Sequence, residues 1–208
     1  MNYSHLYQQN QRVHVFERLS NARAVLHNRV NLNRQLGFAL WSNQDDVTSY
    51  QKPEHHTLSL YLSGGYQTKR VLGAQSIGGG ALGKLCIMPA GHESHWQVDG
   101  PLRFVHLYFS DDDLSRCIEQ TWDKSAAQVS LQDLTFIDEL AISSLLQHWA
   151  LKLNWQDGSA QLAFESVSLL LLGYLPKNYV DRRFTDLPSS GGLAPFPLQR
   201  CQDFIEQN

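Results

Sequence analysis

Between about residues 12 and 110, the sequence alternates short apolar runs with turn residues and shows little helical periodicity. Glycine and proline bound these runs, as in Ser63-Gly64-Gly65 and Asp99-Gly100-Pro101. The pattern predicts antiparallel strands, of which the clearest are 38–41, 57–62, 66–72, 84–88 and 102–109. Many short strands with glycine-rich punctuation favour a jelly roll or a barrel.

After residue 110 the apolar positions recur at helical spacing instead. We predict a short helix over 111–119, a longer one over 133–153 and a third over 160–175 that Pro176 ends. The apolar face of the longer helix comprises Phe136, Ile137, Leu140, Ala141, Leu145, Trp149 and Leu153. A turn over 154–159 would join the last two helices into an antiparallel hairpin. The predicted fold class is therefore mainly β with C-terminal helices (α+β).

The last predicted helix carries more apolar surface than one buried face requires. Leu162 and the run 169–172 almost encircle it, which indicates burial on more than one side. A twofold dimer through these helices would supply that burial, with Leu145, Trp149, Leu162 and Leu169 as the dimerisation residues. An amphipathic stripe can also pack on the protein's own sheet, and the pattern leaves this alternative open.

Composition narrows the function classes. With 17 Lys and Arg against 20 Asp and Glu, the 208-residue chain has a formal charge of -3, so it lacks the basic surface that non-specific DNA binding requires. The longest aliphatic run, 169–172, is far too short to cross a membrane. Three scattered cysteines fit neither a disulfide framework nor a CxxC metal site. We expect a cytoplasmic protein with reduced, structural thiols and no membrane partner.

Residues 83–91 (GKLCIMPAG) have the spacing G-x5-P-x-G, which resembles the core of the second cupin motif. In metal-binding cupins a histidine follows after two residues and joins an earlier His-x-His and a glutamate around the ion. Here His92 follows directly, His95 comes after three residues, and the upstream segment offers Glu54-His55-His56. The carboxylate of a metal site is missing from this pattern, so we expect no cofactor.

A metal-dependent cupin enzyme, such as a dioxygenase or isomerase, is the alternative function. It would use His55 or His56 together with His95 and His106. No catalytic triad can be argued from spacing, because triads assemble in space. We therefore assign no catalytic residue and expect a protein that is not an enzyme.

The C-terminal stretch 191–208 (GGLAPFPLQRCQDFIEQN) has the pattern of a hinge followed by a helix. Pro197 suits a first helical turn, and apolar residues then recur at helical spacing, namely Leu198, Cys201, Phe204 and Ile205. Gly-Gly-Leu-x-Pro followed by Leu-x-Arg and Ile-Glu-x-Asn resembles the start of the DNA-binding domain in AraC-type transcriptional regulators. We expect this helix to open a domain of which the chain contains only the beginning.

Other blocks resemble the same family in the same order: 53–70 (PEHHTLSLYLSGGYQTKR), 88–96 (MPAGHESHW), 104–110 (FVHLYFS) and 163–170 (AFESVSLL). The resemblance implies a cupin-like effector-binding barrel over 1–110, a helical dimerisation segment over 111–176, a linker over 177–195 and the first helix of a truncated DNA-binding domain over 196–208. It also implies a metal-free effector pocket in a homodimer, and DNA contact only through the downstream double helix-turn-helix domain.

Strand alternation suggests which side chains would meet an effector. In 57–62, Leu58, Leu60 and Leu62 share one face with His56, and we expect this aliphatic face to point into the barrel. In 102–109 both faces are largely apolar, so periodicity does not choose between them. The predicted ligand-binding residues are Trp41, Leu60, His95, Trp96, His106 and Tyr108, although aromatics of this kind also occur as ordinary core.

Residues 1–35 allow two interpretations. They form either an arm that covers the pocket, as in some members of the family, or an edge strand with loops. The expected function is the small-molecule-sensing and dimerisation half of an AraC-type regulator, and the sequence names neither the effector nor the target operator.

Overall fold

The computed structural model describes residues 14–33, 35–122, 130–148 and 150–180. The predicted hinge and helix over 191–208 and most of the predicted linker lie outside these ranges. So do residues 1–13 of the N-terminal segment and Trp149, which we named as a dimerisation residue.

Ten strands and four α-helices make up the described part of the chain. The strands are β1 (Val25–Asn31), β2 (Gly37–Asn43), β3 (Asp46–Tyr50), β4 (His56–Gly64), β5 (Thr68–Leu72), β6 (Gln75–Ile77), β7 (Lys84–Met88), β8 (Ser94–Val98), β9 (Leu102–Phe109) and β10 (Leu134–Asp138). The helices are α1 (His14–Ser20), α2 (Asp111–Trp122), α3 (Leu140–His148) and α4 (Gly158–Tyr179), with a 3-10 turn at Ala150–Lys152. The prediction of a mainly β protein with helices is confirmed.

The strands form two antiparallel sheets, in the orders β1-β2-β9-β4-β7-β10 and β3-β8-β5-β6. Strands β2 to β9 pair as a nested series, β5 with β6, β4 with β7, β3 with β8 and β2 with β9. This nested pairing, folded into two facing sheets, is a jelly roll. The outermost strands of the six-stranded sheet, β1 and β10, are additions to the eight-stranded core.

The predicted helix over 133–153 is wrong in its first third. Residues Leu134–Asp138 form strand β10, which pairs with β7 at the edge of the six-stranded sheet. Apolar residues at 134, 136 and 137 fit either a helix or an irregular strand. The segment forms a strand because it pairs with the backbone N–H and C=O groups at the otherwise unpaired edge of β7. The segment 111–176, which we expected to be helical, therefore contributes a strand to the barrel.

Pro176 does not end the last helix, as we had predicted. It lies inside α4, which continues to Tyr179, three residues into the predicted linker. A proline in the final turn removes only one backbone hydrogen bond, and burial of the Pro176 ring offsets that loss. The predicted hairpin is not confirmed, because α3 has only nine residues and α4 packs against α2.

Two apolar cores lie on opposite faces of the six-stranded sheet. On the outer face, aliphatic residues of the strands pack against α2, α3 and α4, and Phe164 of α4 contacts Phe38 and Trp155 at ring-centroid distances of 5.0 and 4.6 Å. Among the described helices, only α4 has the length and mean hydropathy, 1.2, of a membrane span. In that window 39% of the residues are buried, and the buried side of α4 belongs to this outer core.

Candidate ligand site in the barrel interior

The polar face of β4, not its aliphatic face, points into the barrel. Leu58 and Leu60 belong to the core under the helices, whereas Tyr61 packs in the second core between the two sheets, and Ser59 lines a cavity there. The expectation that the aliphatic face points inward, with Leu60 at the ligand site, is wrong. Three helices cover the outer face of the sheet, and burying them requires the more apolar side of each strand.

A small cavity of about 30 Å³ remains between the sheets. Hydroxyl, amide and imidazole groups share its lining with aromatic rings; the polar members are Asn43, Thr48, Ser59, Thr68 and His106, and the aromatic members are Tyr50, Tyr61, Trp96 and Phe104. This volume holds roughly two water molecules. The interior is therefore nearly filled by side chains, and the space that remains has a mainly apolar wall with several polar groups in it.

A chain of buried hydrogen bonds leads to this cavity. Trp41 donates its indole N–H to the Tyr108 hydroxyl at 3.1 Å, and the same hydroxyl lies 2.9 Å from Nδ1 of His106. The other ring nitrogen of His106, Nε2, lies 3.0 Å from the Ser59 hydroxyl. We call these four residues the relay. All four are buried, so each polar atom depends on its neighbour in the series.

The direction of the relay follows from the protonation state of His106. Burial lowers the pKa of His106 to about 3, so the imidazole is neutral at physiological pH and has one donor and one acceptor nitrogen. The Tyr108 oxygen accepts from Trp41. Because Tyr108 does not line the cavity and needs an acceptor for its own proton, we assign the tautomer in which the Tyr108 O–H donates to Nδ1 of His106. Nε2 then carries the ring proton and donates it to the Ser59 oxygen.

The Ser59 hydroxyl therefore ends the series as a donor. It makes no other hydrogen bond within the described ranges, and it lines the cavity. A hydroxyl proton facing a cavity needs an acceptor oxygen or nitrogen there, from water or from a ligand.

A second hydrogen-bonded group forms another part of the cavity wall. The carboxylate of Asp46 accepts from the Asn43 amide at 2.9 Å and from the Thr48 hydroxyl at 3.1 Å. Asn43 and Thr48 are both buried and both line the cavity. In this part of the wall the Thr48 hydroxyl proton is thus already used by Asp46, in contrast to that of Ser59.

Helix α1 closes the interior next to the relay. Phe16 packs its ring against those of Trp41 and Tyr108, at 5.0 and 6.1 Å, and Leu19 lines the cavity. The Arg29 guanidinium of β1 lies over the Phe16 ring, 3.8 Å from its centroid. The described part of the N-terminal segment thus contains both a covering element, α1, and an edge strand, β1.

Strand β10 fills another side of the interior with Phe136. The ring lies 5.6 Å from that of Tyr61 and 5.9 Å from that of Trp96, both edge to face. The backbone N–H of Phe136 donates to the Cys86 sulfur at 3.4 Å. Burial raises the pKa of Cys86 to about 12, so this thiol stays protonated and is unsuited to nucleophilic chemistry.

Of the histidines of the alternative metal site, His55 and His106 both contact the Tyr108 ring, whereas His56 and His95 lie elsewhere. His56 contacts Asp111 at 2.7 Å and accepts from the Ala90 amide, while His95 lies exposed on β8 with Ser49 at 2.8 Å. His55 is buried with its ring 5.8 Å from that of Tyr108. The described residues contain no group of three or more His, Cys, Asp or Glu that could hold a metal.

The predicted ligand residues therefore divide into two groups. Four of them lie in the interior core or its relay, namely Trp41, Trp96, His106 and Tyr108. Leu60 is instead buried in the core under the helices, and His95 is exposed on β8. Sequence reasoning missed the polar lining Asn43, Thr48 and Ser59, the aromatic Tyr61, and Leu19 of α1. The alternation of β4 contained the signal for Ser59 and Tyr61, but we assigned its two faces the wrong way round.

The predicted dimerisation residues also have different environments. Leu162 and Leu169 of α4 are exposed, at 67% and 60% of their surface, and Leu170 beside them is 62% exposed. Leu145 instead packs partly buried against the helix-side core. Exposed leucines on one helix leave room for a partner, but the fold does not identify it.

No protein-family model and no curated protein matches the sequence. Among solved structures, the AraC-like transcriptional activator CuxR aligns over 91% of this chain and 65% of its own, with 9% identity and a TM-score of 0.48. The Cnp3 cupin domain of Schizosaccharomyces pombe aligns over 45% of this chain and 65% of its own, with 9% identity and a TM-score of 0.38.

A predicted oxalate decarboxylase of Thermotoga maritima aligns over 42% of this chain and 80% of its own, with 12% identity and a TM-score of 0.35. The similar structures thus include a cupin domain, an AraC-like transcriptional activator and a predicted enzyme. With TM-scores below 0.5, these similarities do not choose among the three functions.

Proposed function

We propose that this chain is the ligand-sensing and dimerisation part of an AraC-type transcriptional regulator, and that the barrel interior is its ligand site. The observation that carries the proposal is the relay, which delivers a hydroxyl donor, that of Ser59, to a cavity inside the jelly roll whose lining also includes the buried Thr68 hydroxyl. A structural core has no need of such a donor, because aliphatic side chains would fill the same space without an unpaired polar group.

The lining also suggests the class of ligand. Aromatic rings form much of the wall, so the body of the ligand is apolar and compact. The Ser59 hydroxyl requires a hydrogen-bond acceptor such as a carbonyl, ether or hydroxyl oxygen. A ligand carboxylate would lie next to neutral His106, with no cation among the residues that line the cavity, so we propose a neutral effector.

A ligand larger than roughly two water molecules must displace side chains to enter the cavity, given its present volume of about 30 Å³. Val15, Phe16 and Leu19 on α1, together with Phe136 on β10, are buried side chains that fill the interior from outside the eight-stranded core. Binding is therefore linked to movement of one of these elements, as a sensor requires.

The regulatory part of the proposal concerns partners. The exposed Leu162 and Leu169 on α4 fit a homodimer interface, and the sequence blocks that resemble AraC-type regulators favour the same arrangement. With a formal charge of -3, the chain would contact DNA only through the DNA-binding domain whose first helix is predicted over 196–208. The protein would act in the cytoplasm.

A thermal-shift screen of neutral aromatic and aliphatic compounds tests the ligand site. We expect a saturable rise in Tm from one compound class, because a ligand that binds only the folded state stabilises it. In Ser59→Ala the same compound should bind about fivefold more weakly, since one hydrogen bond is lost. Ser49→Ala, which removes a hydroxyl that pairs with His95 on the outside of the barrel, is the matched control.

Two results would contradict the proposal. One is a screen without any saturable shift, or with shifts that Ser59→Ala leaves unchanged. The other is stoichiometric iron, manganese or zinc in the purified protein that disappears in His106→Ala, which would favour the enzyme alternative.

A further inference from the structure

The segment 130–139, which contains β10 and which we call the strap, contacts the barrel interior through Phe136. That ring packs against Tyr61 and Trp96, two residues that line the cavity. A group that entered the cavity and extended towards these two rings would compete with Phe136 for the same place. The strap thus has one side chain at the candidate ligand site.

The backbone at Phe136 is strained. Its φ of 55° lies in the left-handed region, which a bulky side chain rarely adopts, and the pairing of β10 with β7 is irregular between Leu134 and Ile137. Such a conformation persists only because neighbouring contacts hold it. Removal of the ring from the interior would let the backbone relax, and this relaxation offsets part of the free energy that is lost when the buried ring leaves.

The strap is fastened to the four-stranded sheet at one end. Arg70 of β5 is buried and makes a two-pronged ion pair with Asp133, with the second contact, Nη2 to Oδ2, at 2.7 Å. The same guanidinium donates to the Thr135 hydroxyl at 2.9 Å. Asp133 and Thr135 lie between Gln132 and Phe136, so a movement of Phe136 reaches Gln132 through the contacts of these two residues with Arg70.

The strap also holds the end of α4. The backbone N–H of Gln132 donates to the Tyr179 carbonyl at 2.8 Å, and its side-chain amide donates to the Val180 carbonyl at 3.2 Å. At the other end of the strap, the Glu139 carboxylate accepts from the hydroxyl of Tyr174 at 3.1 Å and from that of Tyr179. The last turn of α4 is therefore bonded to both ends of the segment that carries Phe136.

We infer that the strap couples the barrel interior to the C-terminal end of α4, with Phe136 as the side chain that an apolar, ring-sized ligand group displaces. Displacement rearranges β10 and loosens the bonds of Gln132 and Glu139 to the last turn of α4, the point from which the chain continues towards the predicted hinge. The inference rests on the proposed function for the ligand, whereas the coupling itself can be measured without one.

Hydrogen exchange on the full chain tests the coupling. In Phe136→Ala we expect the Gln132 amide to exchange about tenfold faster than in the wild type, measured relative to the amides of the central strand β9. The β9 reference separates local opening of the strap from a loss of global stability. Phe136→Leu keeps an apolar side chain and should show a smaller effect in the same direction.

The matched control is Phe16→Ala, which removes the same type of ring from the same interior on the α1 side. It should accelerate exchange at Gln132 and in β9 by equal factors. Equal factors in Phe136→Ala as well, or unchanged exchange at Gln132, would overturn the coupling.

A reciprocal measurement uses the other end of the strap. Glu139→Gln weakens the bonds to Tyr174 and Tyr179 and should alter the fluorescence of Trp96, which packs on Phe136, while Glu165→Gln on the outside of α4 leaves it unchanged. If a ligand from the screen binds and the Gln132 amide does not respond, the proposed function holds and this inference fails. If the amide responds to Phe136→Ala but no ligand is found, the coupling holds and the proposed function fails.

Discussion

The two faces of the six-stranded sheet differ in chemistry although the same strands supply both. The face under the helices is aliphatic and fully packed, with Leu58, Leu60 and Leu107 each at most 1% exposed. The face towards the other sheet carries hydroxyls, an imidazole and an indole, joined in the relay and next to a cavity. We infer that burial of the aliphatic face contributes most of the stability, so that the other face can retain buried polar groups at a free-energy cost.

Strand β4 shows the difference within six residues. Its outward side chains are leucines, whereas its inward ones include Ser59 and Tyr61. Burying hydroxyls costs free energy unless each finds a partner. The Ser59 hydroxyl proton on this inner face therefore costs free energy unless water or a bound molecule in the cavity accepts it.

The largest expected effect tests the packed face. Phe164→Ala should lower the free energy of unfolding by about 3–5 kcal/mol, because the ring is fully buried between Phe38 and Trp155. Phe104→Ala, which removes a ring beside the existing cavity, should cost less. Urea unfolding of both variants measures the contrast, and equal losses would show that the two faces are packed alike.

Tyr108→Phe probes the relay and should cost about 1–3 kcal/mol, because Trp41 N–H and His106 Nδ1 both lose their buried partner. Tyr66→Phe is the control, since Tyr66 is 73% exposed, and it should change stability by less than about 0.5 kcal/mol. Urea unfolding again supplies the measurement. A Tyr108→Phe variant as stable as the wild type would mean that the relay contributes nothing to the fold.

The inner face of the six-stranded sheet should also make stability depend on pH, because it carries His106. The pKa of His106 is about 3 in the folded protein against an ordinary 6.5, so above pH 6.5 neither state binds the extra proton and the contribution is constant. As the pH falls from 6.5 towards 3, the unfolded chain takes up a proton that the folded protein excludes, and stability decreases, by about 1 kcal/mol from pH 6 to pH 5.

His106→Gln should remove this part of the slope, whereas His95→Gln, at an exposed position, should leave it in place. Unfolding curves recorded at several pH values provide the comparison. A slope that persists unchanged in His106→Gln would show that His106 is not the source of the pH dependence.

The smallest expected effect on stability lies outside both faces, on α4. Leu169→Glu should change the free energy of unfolding by less than about 0.5 kcal/mol, because the side chain is 60% exposed. If the exposed leucines form the proposed dimer interface, the same variant should sediment as a monomer at concentrations where the wild type is a dimer. Gln161→Glu adds the same charge elsewhere on the helix and should leave the dimer intact.

Much of the strand framework could be predicted from the sequence, because runs such as 84–88 and 102–109 are bounded by clear turn residues. The failures have physical causes. Residues 134–138 fit two periodicities, and the unpaired edge of β7, which only the fold supplies, decided between them. At the candidate site, the sequence could predict that Trp41, His106 and Tyr108 belong to the interior. It could not predict which face of β4 points inward, because that depends on the helices that cover the other face of the sheet.

The nested pairing of the jelly roll determines when the relay can form. The innermost pair, β5 with β6, joins residues only a few positions apart, such as Leu72 and Gln75, whereas the outermost pair, β2 with β9, joins Gly37 to Tyr108. Chain entropy makes such distant pairings slow to close, so the hairpin comes first and the outer strands last. Trp41 and Tyr108 lie on that outermost pair, and their hydrogen bond is thus a reporter of the final step of folding.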